Sequence, residues 1–128
     1  MQEIENNAYF WNKIDTIVLS STCTITSKKG TKHSKYNLIY PVDYGILTDP
    51  LESDQQPIGI FVGSQKTNVV SALAVTADIL SKECESKLLL GCTEKETKAV
   101  MQFLNRTEFQ KGILIYRGEG IPSWAIDD

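Results

Sequence analysis

Arginine is nearly absent from this chain. Arg106 and Arg117 are the only two, so nothing before position 106 offers a planar guanidinium that holds a phosphate through paired hydrogen bonds. An oxyanion bound by that stretch would need lysine, tyrosine hydroxyls, backbone amides or a metal ion. The net charge is −3 and the positive residues are scattered, which argues against a nucleic-acid-binding surface.

Long apolar runs are absent too. No stretch approaches the roughly 20 apolar residues that a transmembrane helix requires, and the acidic start Met1–Glu5 is unlike a signal peptide. We therefore expect no membrane contact. Cys23, Cys84 and Cys92 are odd in number and show no CxxC spacing, which is typical of free thiols in a reducing compartment and favours the cytoplasm.

Familiar catalytic motifs are also missing. The sequence contains no GxSxG, P-loop or HExxH pattern. The single histidine, His33, has no second histidine at ligand spacing, so a surface position is favoured over a metal ligand.

Length and composition are those of a globular domain. We expect residues 1–128 to form one domain, with terminal extensions at 1–7 and 118–128. Apolar residues at spacings of three and four predict a helix over Ala8–Val18. A second helix is predicted to begin at Thr93, where Thr93 and Glu96 fit a capping box.

Short apolar or alternating runs predict strands between these helices. They cover residues 20–27, 37–40, 58–62, 68–76, 87–90 and 112–116. Residues 43–56 are interpreted as a long polar connection, and connections of that length often carry function.

Three clusters of polar residues leave alternatives open. Carboxylates in the long connection suit either Mg²⁺ or a solvated acidic loop, and they are Asp43, Asp49, Glu52 and Asp54. Asp78, Glu83 and Glu85 with Lys87 fit a charged turn or a site. Lysines and tyrosines over residues 28–44 fit either a phosphate-binding surface or a basic hairpin.

The segment Tyr40–Gly45, which reads YPVDYG, resembles the YPxNYG segment of soluble, Mg²⁺-dependent inorganic pyrophosphatases. The resemblance continues in order along the chain. Lys32–Tyr36 precedes the motif as that family's Lys-Tyr strand does, and Asp78–Leu90 is similar to its acidic turn and next strand. Gly91–Glu94 matches a helix start in a short bacterial branch. The similarity runs from about Phe10 to Arg117.

The resemblance implies a mostly β (α+β) fold. In that fold a five-stranded, OB-like closed β-barrel carries one N-terminal helix and one helix of the C-terminal half outside. In active relatives, acidic residues at the barrel mouth bind Mg²⁺ ions that activate the attacking water. Carried over by position, the catalytic residues are Asp54, Asp78 and Tyr44, the phosphate-binding residues are Lys35, Tyr40 and Lys87, and the metal ligands are Asp54, Asp78 and Glu85.

Two departures weaken the implied metal site. Gln56 and Gly59 stand where the family has carboxylates. A divalent ion about 4 Å from one carboxylate gains on the order of 8 kcal/mol at an effective dielectric constant near 20, before desolvation. Losing two such ligands predicts weak or absent Mg²⁺ binding. Tyr116-Arg117 is a loose substitute for a C-terminal phosphate-gripping pair.

The leading hypothesis is therefore a pyrophosphatase-like protein with little or no catalysis. It would bind a phosphorylated small molecule or diphosphate, or a protein partner. The alternative is a working Mg²⁺-dependent inorganic diphosphatase or related phosphohydrolase. A further hypothesis places a protein partner on the tail 118–128, around Trp124, and nothing in the sequence excludes a homo-oligomer.

Overall fold

The structure is a computed structural model that describes residues 5–52, 54–122 and 125. It consists of a mixed sheet between two helices. Its elements are α1 (Ala8–Ser20), β1 (Thr22–Ser27), β2 (Asp43–Thr48), β3 (Ile58–Val62), β4 (Val70–Asp78), β5 (Glu83–Leu90), α2 (Glu94–Asn105) and β6 (Gln110–Tyr116). The strand order is β1-β2-β3-β5-β4-β6. All neighbours are antiparallel except β3 and β5, which run parallel.

The predicted five-stranded closed barrel is wrong. Within the described residues β1 pairs only with β2 and β6 only with β4, so the sheet has six strands and two open edges. Successive side chains of a strand point to opposite faces, and here both faces are apolar. Ile60 and Leu88 pack around Trp11 of α1, whereas Phe61 and Leu89 pack with Val100 of α2. Two separate cores keep the sheet open, although the mostly β (α+β) character with two helices agrees with expectation.

Both helices form where local signals predicted them. The Asn7 side chain caps α1 by accepting from the backbone N–H groups of Tyr9 and Phe10. At the start of α2, Thr93 and Glu96 form the predicted capping box in both directions. Neither helix in the described part of the chain is long and apolar enough to cross a membrane.

The region before β3 differs from the prediction. Residues 43–48, interpreted as part of a connection, form β2, because they pair with β1 on one side and β3 on the other. Residues 37–40, interpreted as a strand, form only an isolated bridge between Lys32 and Ile39, with backbone hydrogen bonds that join Tyr40 to Gly30 and Thr31. The β1–β2 segment is therefore a long irregular loop that lies over the α2 face of the sheet.

Arg117, just after β6, joins α1 to the sheet. Its guanidinium donates to both carboxylate oxygens of Asp15, at 3.0 and 2.9 Å, and to the carbonyl oxygen of Val70. Burial opposes ionisation of Asp15, but the bonds from Arg117 and from the Val70 N–H lower its pKa overall. Because β6 runs antiparallel to β4, Tyr116 lies beside Ala72, six residues along β4 from Asp78. Arg117 is thus a structural clamp whose guanidinium is occupied by Asp15 and Val70, and a role of Tyr116-Arg117 in holding phosphate stays a prediction.

We expect Arg117→Met to lower the free energy of unfolding by about 1.5–3 kcal/mol, since it strands a half-buried carboxylate that accepts charged hydrogen bonds. Urea denaturation monitored by circular dichroism measures this. Lys111→Met is the matched control, because the Lys111–Glu108 pair is exposed and 4.0 Å long, which predicts a loss below about 1 kcal/mol. Equal effects of the two substitutions would contradict the clamp.

Candidate functional site

A pocket lies between the β1–β2 loop and the β4–β5 hairpin. We call it the polar pocket, and its lining includes His33, Lys35, Tyr36, Asp78, Glu85 and Lys87. Its volume is about 170 Å³, several times the roughly 30 Å³ of one liquid water and below the roughly 300 Å³ at which drug-sized sites begin. The space suits a small oxyanion.

Strand register brings the hairpin side chains together. Thr76 lies opposite Glu85, and Ala74 lies opposite Lys87, across the β4–β5 ladder. Because alternate residues share a face, Glu85 and Lys87 point to the same side as Leu89, which packs towards α2. The β1–β2 loop covers this side and supplies Lys35 to the pocket.

Asp78 receives hydrogen-bond donors on both carboxylate oxygens. Oδ2 accepts from the Tyr36 hydroxyl at 2.7 Å and lies 3.6 Å from Lys35 Nζ. Oδ1 accepts from the backbone N–H groups of Leu80 and Ser81 at 2.9 and 3.1 Å. The Tyr36 hydrogen bond is the main cause that lowers the pKa of Asp78 to about 2. The carboxylate is therefore ionised and fully engaged by the protein.

Lys87 is the most enclosed cation of the pocket, with a side chain only 12% exposed. Its Nζ lies 3.1 Å from the Tyr44 hydroxyl oxygen and 3.5 Å from Glu85 Oε1. Burial by itself would lower the pKa of Lys87, but Tyr44 and Glu85 outweigh it and raise the pKa above its ordinary value. The ammonium is therefore charged at neutral pH, and of its three N–H donors one is left for a ligand.

Gly59 makes room for the Tyr44 side chain. Gly59 lies beside Lys87 in the β3–β5 ladder, and a side-chain carbon at Gly59 would collide with the Tyr44 hydroxyl oxygen. The resemblance interprets Gly59 as the place of a lost metal ligand. In the structure, the space beside Gly59 is filled by the Tyr44 side chain, which contacts Lys87.

His33 is a pocket residue that sequence reasoning did not select. It is half-buried, and its ring stacks on Tyr40 with a centroid distance of 5.5 Å. Its Nδ1 accepts the backbone N–H groups of Lys35 and Tyr36 at 2.9 and 3.1 Å. Burial, then the charges of Lys35 and Lys87, lower the pKa of His33. The expectation of a surface histidine is wrong, because the loop folds back so that Tyr36 and Tyr40 contact the ring, and Phe103 of α2 lies 6.0 Å from it.

The predicted phosphate-binding tyrosine Tyr40 lies deeper than expected. It is buried, and burial raises the pKa of its hydroxyl, which hydrogen-bonds to Ser27. With Tyr44 it lines a cavity of about 80 Å³ beneath the polar pocket, to which His33 and Lys87 also belong. Lys35, Asp78, Glu85 and Lys87 therefore share the upper pocket, and their individual roles stay predictions.

The predicted Mg²⁺ ligands do not fit a metal centre as they stand. Asp54 is exposed in the connection between β2 and β3 and makes no described contact with Asp78 or Glu85. Asp78 is engaged by protein donors, and Glu85 is paired with Lys87. Over residues 5–52, 54–122 and 125, no group of three or more His, Cys, Asp or Glu side chains is placed to hold a metal ion.

The chain is similar to known proteins among solved structures, at low sequence identity. No family model matches the chain, and no curated protein matches it. Among solved structures it is similar to an inorganic pyrophosphatase from Helicobacter pylori, with 12% sequence identity, coverage of 92% of this chain and 86% of that chain, and a TM-score of 0.44. A function for this chain therefore has to rest on the pocket itself.

We expect Tyr36→Phe to raise the pKa of Asp78 from about 2 towards 3.8, because it removes the main hydrogen bond to the carboxylate. A depressed pKa stabilises the fold above pH 3.8, and that stabilisation is lost as the pH falls towards about 2. The variant should therefore depend less on pH in this window. Carbon-13 NMR of the carboxyl group and acidic thermal melts measure both effects. Tyr116→Phe, at the other end of the sheet, is the control and should change neither.

We expect Gly59→Ala to destabilise the fold by about 1–3 kcal/mol, because the added methyl group displaces the Tyr44 hydroxyl from Lys87. Urea denaturation of a double-mutant cycle with Tyr44→Phe provides the test. In the Tyr44→Phe background the clashing oxygen is gone, so the cost of Gly59→Ala should fall. If Gly59→Ala destabilised the Tyr44→Phe variant as much as the unmodified chain, Gly59 would not be needed to make room for the hydroxyl.

Proposed function

We propose that the polar pocket binds inorganic phosphate, diphosphate or the phosphoryl group of a small molecule, and that the chain hydrolyses diphosphate slowly or not at all. The observation that carries this proposal is Lys87, a largely enclosed ammonium that Tyr44 and Glu85 keep charged. Charge-assisted hydrogen bonds to phosphate are about twice as strong as neutral ones. The pyrophosphatase-like sequence motif around Tyr40 and Tyr44 points to the same ligand chemistry.

Three acidic residues share the lining with the two lysines, and of these Glu83 is exposed while Asp78 and Glu85 are already engaged by protein groups. Asp78 already accepts a hydroxyl and two amide donors and pairs with Lys35. Glu85 is 47% exposed and stands 3.5 Å from Lys87, so its side chain can turn into water when an anion arrives. Lys35, 40% exposed, can then reach the bound anion from the rim of the pocket.

The same contacts argue against metal-dependent hydrolysis. To bind Mg²⁺, Asp78 would have to give up the Tyr36 hydroxyl, the Lys35 ammonium or the backbone amides that it now accepts. Each charge-assisted hydrogen bond lost in this way would have to be replaced by a contact with the metal ion. Gly59 supplies no ligand in exchange, since it has no side chain and the space that a side chain would need is filled by Tyr44. Binding is therefore favoured over turnover.

A protein partner at the tail gains no support from the described residues. Gly118 donates its N–H to Asn6 Oδ1, and the carbonyl oxygen of Gly120 accepts from the N–H of Ala8. Pro122 is fully buried. The tail thus folds back on the start of α1 up to this point, while Trp124 and most of the residues after it lie outside the described part of the chain. A homo-oligomer and the cytoplasmic location likewise stay predictions.

We expect isothermal titration calorimetry to detect phosphate and diphosphate binding to the unmodified chain. Lys87→Met should weaken binding about ten- to a hundred-fold, the equivalent of one charged hydrogen bond. Lys13→Met, on the exposed side of α1 against the other sheet face, is the matched control and should bind as the unmodified chain does. Loss of affinity in both variants, or in neither, would contradict this assignment of the pocket.

Phosphate release from diphosphate in the presence of Mg²⁺ tests the second half of the proposal. We expect release that is slow or equal to the uncatalysed background. Robust turnover that disappears in both Asp54→Ala and Asp78→Ala would establish the alternative, a Mg²⁺-dependent inorganic diphosphatase.

A further inference from the structure

We infer that His33 donates a hydrogen bond from Nε2 to the oxyanion bound in the polar pocket, as the neutral partner of Lys35 and Lys87. This inference rests on the proposed function, since it concerns the same pocket. It adds a residue that neither the family resemblance nor the composition selected.

Two backbone hydrogen bonds define the tautomer of the imidazole. The N–H groups of Lys35 and Tyr36 both point to Nδ1, at 2.9 and 3.1 Å. A nitrogen that accepts two donors cannot carry its own proton, so in the neutral ring the proton is on Nε2. The turn 33–36 therefore holds His33 with a hydrogen-bond donor on the opposite side of the ring.

His33 borders two cavities, the polar pocket and the smaller cavity beneath it. Nε2 makes no hydrogen bond to any residue in the described part of the chain. Stacking on Tyr40 and a tilted contact with Tyr36, at 5.3 Å, hold the plane of the ring. The donor is thus oriented before a ligand arrives, which lowers the entropy cost of binding.

The donor set matches a phosphoryl group better than a carboxylate. Lys35 and Lys87 bring two ammonium groups and His33 a ring N–H to the lining, which also carries the hydroxyls of Thr76 and Ser81. A phosphoryl group presents three strong acceptor oxygens. A carboxylate presents two in one plane. We therefore assign the pocket to tetrahedral phosphoryl ligands.

His33 is the only histidine of the chain, so nitrogen-15 NMR of the imidazole reads this site without ambiguity. We expect an unprotonated Nδ1 and a protonated Nε2 in the free protein. Inorganic phosphate should shift the Nε2 resonance, while acetate at the same ionic strength should not. A proton on Nδ1, or an Nε2 resonance that ignores phosphate while the Lys87-dependent binding is present, would overturn the inference.

His33→Asn separates the donor from the turn. An Asn side-chain oxygen accepts backbone N–H groups two and three residues on, as Nδ1 does here, but offers nothing at the position of Nε2. We expect the amide resonances of Lys35 and Tyr36 to stay near their original values and phosphate affinity to fall about two- to ten-fold. Unchanged affinity would refute the role of His33 alone. Absence of phosphate binding in the unmodified chain would refute the proposed function and this inference together.

Discussion

The carboxylate of Asp78 holds together the two parts of the chain that form the pocket. The β1–β2 loop has little regular structure of its own, with one isolated bridge between Lys32 and Ile39. Tyr36 and Lys35 reach Asp78 from this loop, across 42 and 43 positions of sequence. Ordering the loop costs about 1–2 kcal/mol of backbone entropy per residue, and the contacts with Asp78 help to offset that cost. The position of His33 follows from the same anchor, because its Nδ1 binds the amides of the residues that Asp78 fixes.

The second constraint is the burial of the Lys87 ammonium, which needs both compensating partners and space for them. An ammonium leaves water only if hydrogen bonds and opposite charge compensate its lost hydration. Tyr44 and Glu85 provide that compensation, and Gly59 leaves the space that Tyr44 needs. A carboxylate side chain at position 59 would occupy the space that the Tyr44 side chain now fills, so the two cannot be present together. The Lys87 ammonium and the Tyr44 hydroxyl therefore lie next to the carboxylates of Asp78, Glu83 and Glu85, and an anion would have to bind through donors that these carboxylates leave available.

Some of the candidate site could be read from the sequence. The motif around Tyr40 and the spacing of Asp78, Glu85 and Lys87 selected residues that do line the two cavities. Asp54 was selected by the same alignment, yet it lies exposed in a connection without contact to the others. The difference is structural support: strand register brings Glu85 and Lys87 to one face, whereas no ladder positions Asp54.

The sequence by itself determined the elements that depend on interactions between residues close together in the chain. Both helices, with the capping box at Thr93 and Glu96, and the short apolar strand β3 depend on local periodicity and neighbouring hydrogen bonds. Tertiary structure alone decided that residues 43–48 become a strand and that the sheet stays open between two helices. It also decided that His33 is enclosed and that Asp78 is saturated. These outcomes depend on contacts between residues far apart in the chain, and such contacts leave no periodic trace in the sequence.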